Sequence, residues 1–283
     1  MSHPTTKHYG QEASFFEGFL DPYMKYSSSV FEREDETLDV AVQRALDTHI
    51  DLGRVRDGAR VLDIGNGWGC FLKRVFEVRT DIAYTGVNPS KVQLEYIERN
   101  VRHPATMHNA PFEDVMDALE PGFDTIYLIG ALCHMQDKQR VLERVNALLA
   151  DGGRVVLEDT FFLSEDIYRH HHDRKETHFV QDDVFGFAHI HSLSRHLETV
   201  RAAGFRVMSA FDNSDSYARS IEIWTDRLLR MDPKQFPHAM QFAQYMDVAQ
   251  RGWGYTICNH MMALEKLPRR RHRRIAAPWE GHA

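Results

Sequence analysis

Cysteine is scarce in this chain of 283 residues: there are three, at positions 70, 133 and 258, scattered and odd in number. That excludes a disulfide framework and suits a reducing compartment, so a cytoplasmic protein is expected. No apolar run approaches the ~18–20 residues of a membrane span. The opening stretch MSHPTTKHYGQE is polar, without the apolar centre of a secretion signal. No stable membrane insertion is expected. Basic charge is also short, with 34 Lys and Arg against 41 Asp and Glu. Five of the arginines (Arg269, Arg270, Arg271, Arg273 and Arg274) sit in one short run. Without residues 269–283, which also hold Glu280, 29 basic residues face 40 acidic ones, a net charge of about -11. A body that acidic lacks the basic face that phosphate contacts need, so nucleic acid is not an expected partner. The arginine run reads as a solvated tail, with attraction to an acidic membrane surface as the alternative.

Hydrophobic residues make up 43% of the chain, enough for a sizeable core, and the length is at the top of the single-domain range. The stretch Arg60-Val61-Leu62-Asp63-Ile64-Gly65-Asn66-Gly67-Trp68-Gly69 organises the rest. An apolar run stops at three glycines, and a helical pattern follows from Cys70-Phe71-Leu72. This reads as a buried parallel strand, a tight turn and a helix N-terminus. Glycine permits φ > 0 there and lets a ligand approach the backbone. Asp63 is placed to accept hydrogen bonds from the loop. The spacing Gly-x-Gly-x-Gly is not the dinucleotide fingerprint, whose third glycine comes one residue later. It resembles the glycine loop of S-adenosylmethionine (SAM) methyltransferases.

Residues 1–10 read as a flexible tail, and 11–20 as a short helix with Phe15, Phe16, Phe19 and Leu20 on one face. Residues 21–32, rich in aromatics and hydroxyls, have no helical period and read as an ordered loop. Thr37 caps a helix over 38–52. Strands are expected at 82–87, 105–108, 123–129 and 154–158, with helices between them at 71–78, from Ser90 onward, and at 138–149. Such alternation predicts an α/β, doubly wound, Rossmann-like parallel sheet. Ligands in these sheets lie beyond the carboxyl ends of the strands, where the glycine loop, Asn88, Phe112 and Gly130–Cys133 converge. After Asp159 the alternation breaks. A helix (192–203), a strand (205–210), two helices (217–229 and 236–249) and a last strand (253–265) follow, with 160–190 and 213–252 as cap insertions over the ligand side.

The segment Tyr26-Ser27-Ser28-Ser29-Val30-Phe31-Glu32, Gly65-Asn66-Gly67-Trp68-Gly69, Ser90-Lys91-Val92-Gln93, Gly130-Ala131-Leu132-Cys133-His134, Tyr217-Ala218-Arg219 with Trp224, and Leu264-Glu265-Lys266 together resemble the cyclopropane-fatty-acid synthases and mycolic acid cyclopropane synthases. The resemblance spans about residues 15–267. It implies a seven-stranded class I methyltransferase fold, with residues 1–55 closing over the cofactor and 56–283 forming the SAM-binding domain. It also implies transfer of a methyl group from SAM, leaving S-adenosylhomocysteine, to a carbon–carbon double bond, followed by loss of a proton from a cationic carbon. By this resemblance Tyr26 and Ser27 close over SAM. Gly65, Gly67 and Trp68 approach its methionine part, Asn88 and Gln93 bond the ribose, Pro111 and Phe112 flank the adenine, and Asp63, Asn66 and Ile129 complete the set.

Three positions depart from the family: Asn66, where the glycine loop often has a cysteine, Ser28 and Cys133. Its bicarbonate base is held by a cysteine where this chain has Ser28, a glutamate where it has Cys133, a histidine, and a tyrosine that Tyr217 matches. Without the glutamate a bound anion loses an acceptor for its proton. The departure points to another acceptor, an apolar and unsaturated or aromatic small molecule, methylated at carbon, with N- or O-methylation open. Lipid cyclopropanation with a reorganised base, and a SAM-binding protein without transfer, are the alternatives. Candidate bases are Tyr217, His134, His189, His191 and Glu158 or Asp159. Ser28, Cys133 and Phe185 are assigned to the substrate pocket, Phe185 among Phe161, Phe162, Phe179 and Phe187, whose alternative is core packing. The run His170-His171-His172-Asp173 with His178 has adjacent ligands that diverge, so no metal is expected. The sequence leaves the oligomeric state open, a homo-oligomer included.

Overall fold

The computed structural model describes residues 4–268; the arginine run lies outside them. In chain order the elements are α1 (Thr6–Tyr9), α2 (Ala13–Glu17), α3 (Leu38–Gly53), β1 (Arg60–Ile64), α4 (Cys70–Val78), β2 (Ala83–Val87), α5 (Lys91–Asn100), β3 (Ala105–His108), α6 (Phe112–Val115), β4 (Phe123–Ile129), α7 (Lys138–Leu148) and β5 (Leu149–Phe162). Then come α8 (Glu165–His171), α9 (Lys175–His178), α10 (Leu193–Ala202), β6 (Phe205–Asp212), α11 (Ser214–Leu229), α12 (Ala239–Gln250) and β7 (Ile257–Lys266).

The strands form one sheet in the order β3-β2-β1-β4-β5-β7-β6. The first five pair in parallel; β7 enters antiparallel between β5 and β6. Strand order reverses between β1 and β4, which opens the crevice where doubly wound sheets bind ligands. Both sheet faces are covered, as parallel sheets require. On one side Val42 and Leu46 of α3 and Phe71 and Val75 of α4 pack on Tyr127 and Val156. On the other, Val141, Leu142, Val145 and Leu148 of α7 pack on Leu62, Ile126, Leu128 and Val155. Each such side chain, buried to a few per cent exposure at most, contributes about 1.5–3 kcal/mol of transfer free energy.

Thr37 caps α3, its side chain accepting from the Val40 N–H, the Ncap role expected of threonine. Three expectations need correction. Residues 4–10 are not a free tail: Thr5 and His8 are buried and residues 6–9 are helical. The fifth strand is longer than 154–158, because β7 pairs with it as far as Phe162↔Ile257. The last strand starts at Ile257 rather than Trp253, because residues 251–256 are spent on turns closed by Gly252 and Gly254 bonds.

Two hydrogen bonds tie α3 to β4. The buried Tyr127 hydroxyl donates to the His49 carbonyl (3.0 Å) and Thr125 Oγ1 to the Gly53 carbonyl (2.9 Å). A Cβ at Gly53 would lie 2.1 Å from Tyr127 Oη and 2.8 Å from Thr125 Cγ2. Gly53→Ala is therefore expected to destabilise the protein by about 1–3 kcal/mol through overpacking, read as a lowered urea midpoint at unchanged slope.

Candidate active site

Beyond β1 the chain turns through Gly65, Gly67 and Gly69, at φ +80°, +50° and +78°. Left-handed φ at three alternate positions is what this loop asks of glycine. A Cβ at Gly65 would sit 2.7 Å from Ala131 Cβ, whereas Gly67 faces open space. The loop thus presses on the chain after β4 at one point and leaves a cradle at the next. The cavity above it, ≈ 1090 Å³ counting its open mouth, takes in every residue assigned to the cofactor: Tyr26, Ser27, Asp63, Gly65, Asn66, Gly67, Trp68, Asn88, Gln93, Pro111, Phe112 and Ile129. They come from the carboxyl ends of β1, β2, β3 and β4 and from the loop before α3, so the fold converges them.

Their local roles differ in detail. Asp63 accepts from the Tyr84 hydroxyl rather than from the loop. Burial pushes its carboxyl up to about 7. Asn88 donates to Gln93 Oε1 (3.0 Å) and to the Gly67 carbonyl (3.2 Å), and its own Oδ1 accepts from Ser90 N (2.8 Å). The two amides thereby orient each other and leave Gln93 Nε2 as the donor for a ligand hydroxyl. Trp68, 1% exposed, is walled between Phe16 (5.0 Å) and Tyr96 (5.2 Å). Asn66 Oδ1 is buried with no partner among the described residues.

Deeper in, a chain of polar groups runs under residues 25–29. Glu158, within β5 beside the end of β4 and 1% exposed, accepts from Ser28 Oγ (2.6 Å) and from His49 Nε2 (2.8 Å). Asn213 Nδ2 donates to Ser28 Oγ (2.7 Å) and to the Ser29 carbonyl (2.8 Å). Burial alone would raise the Glu158 pKa. The field of Lys25 and the hydrogen bonds from His49 and Ser28 outweigh it and hold the carboxyl down at about 2. Burial lowers the His49 pKa, so His49 is a neutral imidazole donating its Nε2 hydrogen. The neighbouring Asp159 accepts from the backbone of Cys133 (2.8 Å) and Thr160 (2.9 Å). Its burial wins, and its pKa is raised to about 6.

Facing these carboxylates is an aromatic wall. Tyr217 packs on Trp253 (4.8 Å) and Trp224 (6.2 Å), and Trp224 meets Tyr26 (5.4 Å). Phe185 meets Tyr245 (5.2 Å). The fields of Glu158, Asp159, Cys133 and Tyr245 all reach the Tyr217 hydroxyl, which burial raises well above its usual range. α1 closes the roof. The His8 ring stacks on Phe242 (4.5 Å) and hydrogen-bonds Tyr26 Oη (3.2 Å), and the Tyr9 carbonyl accepts from Ser90 Oγ (3.2 Å).

Of the proposed catalytic groups, Tyr217 and Glu158 share this inner region. His134 lines the cavity, but its Nδ1 donates to the Phe187 carbonyl (2.8 Å) and its Nε2 accepts from the Tyr9 hydroxyl (3.1 Å). One ring nitrogen braces α1 and the other holds the chain at Phe187. His189 stands apart. Its ring packs on His191 (4.6 Å), in the field of Lys138, Arg195 and His172. Its link to the site is a backbone bond to the Cys133 carbonyl (2.8 Å). Ser28 is fully buried in the Glu158 chain and is a strut rather than a pocket wall. The Cys133 thiol is raised by burial, so it stays neutral. Phe185 packs on the α1 roof through His8 (4.6 Å) and Tyr9 (6.0 Å). Among the described residues no group of three or more His, Cys, Asp or Glu is placed to hold a metal ion. His170 and His172 bond their own helix carbonyls.

Sequence reasoning missed Lys25, His49, Asn213, His8, Tyr9 and Tyr245. His49 carried a signal: with Val42, Leu46 and Ile50 it falls on the apolar face of α3, where a polar ring needs a partner. Lys25, the one charge within residues 22–31, carried another.

The family described as "Mycolic acid cyclopropane synthetase" matches residues 2–257. The chain is 29% identical over 230 residues to the "S-adenosylmethionine-dependent methyltransferase UmaA" of Mycobacterium tuberculosis, covering 78% of this chain and 80% of that protein. It is 27% identical over 240 residues to "Cyclopropane mycolic acid synthase 1" of the same species, at the same coverages. The solved structure of mycolic acid cyclopropane synthase CmaA1 complexed with SAH and CTAB superposes with a TM-score of 0.80 at 22% identity, over 93% of this chain and 97% of that one.

The Glu158 chain yields a stability prediction. His49→Ala removes one of two donors from a buried carboxylate and is expected to cost about 3 kcal/mol at pH 7. Because the folded pKa is depressed, this contribution is fully present above the usual glutamate pKa and is lost as pH falls towards about 2. Urea unfolding of both proteins at pH 7 and pH 3 should show the gap narrowing in acid.

Proposed function

This chain belongs to the mycolic acid cyclopropane synthetase family, and we propose that it is a SAM-dependent methyltransferase acting at carbon on an apolar, unsaturated or aromatic small molecule. The cavity fits the cofactor on its own terms. A glycine cradle opens at Gly67, a buried Asn66 oxygen lacks a partner, and the Asn88–Gln93 pair presents an amide donor beside an apolar slot at Pro111 and Phe112. When bound there, SAM supplies a methyl group already activated by its sulfonium.

The observation that carries the acceptor class is the pair of buried carboxylates behind an aromatic wall. Tyr26, Tyr217, Trp224 and Tyr245 suit an apolar acceptor, and their faces favour positive charge. An alkylated double bond carries such a charge, and Glu158, held ionised, is a fixed counter-charge in a low-dielectric site. Its low pKa makes it a poor proton acceptor. Asp159, raised to about 6, is better matched to proton removal near neutral pH. The Tyr217 phenol, kept neutral by burial, lies in the field of both. Water exclusion falls to α1 and the segment 25–28, which roof the cavity.

Ser28 stands where the family resemblance puts a ligand of the bicarbonate base, and here it is bonded to Glu158. The proposed reaction therefore draws on the protein's own carboxylates and needs no added anion. Lipid cyclopropanation is the second reading, favoured by the lipid-modifying relatives named above. Localisation in the cytoplasm is part of the same proposal; among the described residues no helix is long and apolar enough to cross a membrane.

The test is to supply SAM with a panel of unsaturated and aromatic acceptors and, in parallel, to analyse the lipids of an expressing host. S-adenosylhomocysteine formed with a C-methylated small molecule supports the proposal, and cyclopropane lipids alone overturn it in favour of the second reading. The rate is expected to be unchanged in carbonate-free buffer. kcat/KM should fall about tenfold per pH unit below about 6, as Asp159 takes a proton, and Asp159→Asn should lower kcat by about 10²–10⁴-fold.

A further inference from the structure

Lys25 is 1% exposed and lines the cavity. Its ammonium donates to Ser27 Oγ (2.6 Å) and to the Ser28 carbonyl. An ammonium has three hydrogens to give, so two bonds leave one. Among the described residues Lys25 makes no ion pair within 4.0 Å, although twenty-two such pairs occur elsewhere. The nearest anions are already engaged. Glu158 is bonded to Ser28 and His49, and Asp21 to the backbone of Tyr23 and Lys25. A buried ammonium without a direct counter-ion is costly. It calls for an anion at contact distance.

Where Lys25 sits shows what that anion is. Lys25 and Asp63 both line the cavity beside the glycine loop and Cys70, the first residue of α4. Asp63 is buried and accepts from a single phenol, Tyr84. An ammonium and a carboxyl group lining one glycine-loop cavity complement a zwitterionic α-amino acid. On the SAM reading, on which this inference rests, the cofactor has such a group at one end. We infer that Lys25 binds the α-carboxylate of the cofactor's amino-acid end, opposite Asp63 as the acceptor for its α-ammonium. Ser27 and the Ser28 carbonyl aim the ammonium, and so Lys25 couples cofactor capture to the closure of the segment that roofs the site.

The competing role for Lys25 is to neutralise Glu158 alone, and ligand binding separates the two. S-adenosylhomocysteine has the amino-acid end; methylthioadenosine keeps the adenosine and sulfur and lacks it. Calorimetric Kd values are measured for both ligands with the full chain and with Lys25→Met. The variant is expected to weaken S-adenosylhomocysteine by about 10–100-fold and methylthioadenosine by less than about threefold, as loss of one charge-assisted contact implies. Lys25→Arg should recover part of the loss. Equal weakening of both ligands, or of neither, overturns the inference while leaving the cofactor reading intact. A wild-type protein that binds neither ligand overturns the cofactor reading itself. If Lys25→Met does not fold, a crystal structure of the wild type with S-adenosylhomocysteine decides: a carboxylate more than about 4 Å from Nζ overturns the assignment.

Discussion

A single buried carboxylate joins the parts of this molecule that have to work together. Glu158 lies within the fifth strand, level with the carboxyl end of β4. Through Ser28 it holds the segment before α3, through His49 it holds α3 itself, and through Ser28 and Asn213 it reaches the first turn of α11. Sheet, roof and cap thus share one charge. None of these bonds survives alone, because each donor that leaves exposes an ionised group to a low-dielectric surrounding. The network is therefore as much a device for position as for stability. It fixes the height of Tyr26 and Ser27 over the glycine loop and the distance from Tyr217 to the strand end.

From that anchor the cavity divides by chemistry. Near the glycines it is polar. Toward Phe112 it is apolar, and its Tyr26 wall is backed by the rings of Trp224 and Tyr217. The adjacent acids Glu158 and Asp159 point to opposite faces of one strand, and their environments drive their pKa values apart, to about 2 and about 6. Two carboxylates of similar intrinsic acidity thereby take different roles, one a standing charge and one a titrating group, a division set by donors rather than by residue type.

The sheet was legible because each parallel strand is a short apolar run cut off by glycine or a turn, as at Ile64-Gly65 and Ile129-Gly130. Family motifs fall at those cut-offs, so the cofactor residues could be read as a group. The doubly wound sheet followed from the same alternation, and its seven strands from the family resemblance. What could not be read are contacts made over long separations. His49 and Glu158 are 109 positions apart, and nothing local to either announces the other. α1 has no apolar period of its own. Its order comes from Phe242, Tyr26 and Ser90, so it looked like a tail. The histidines were misleading for a related reason: composition shows how many there are, and only packing separates His134, a brace, from His189, an outer-layer ring.

The strand that lies between β5 and β6 is the last of the seven in chain order. A growing chain emerges from the ribosome N-terminus first. Until Ile257–Lys266 appears, β5 presents an open edge along Val155, Val156 and Leu157, and β6 has no partner strand. Asn259, which positions Asn213 through its carbonyl and Ser214 through its amide, arrives only then. The catalytic pocket is thus a late product of synthesis. From the emergence of β5 until β7 follows, the nascent polypeptide carries an unpaired apolar edge, the kind of surface on which chaperones act.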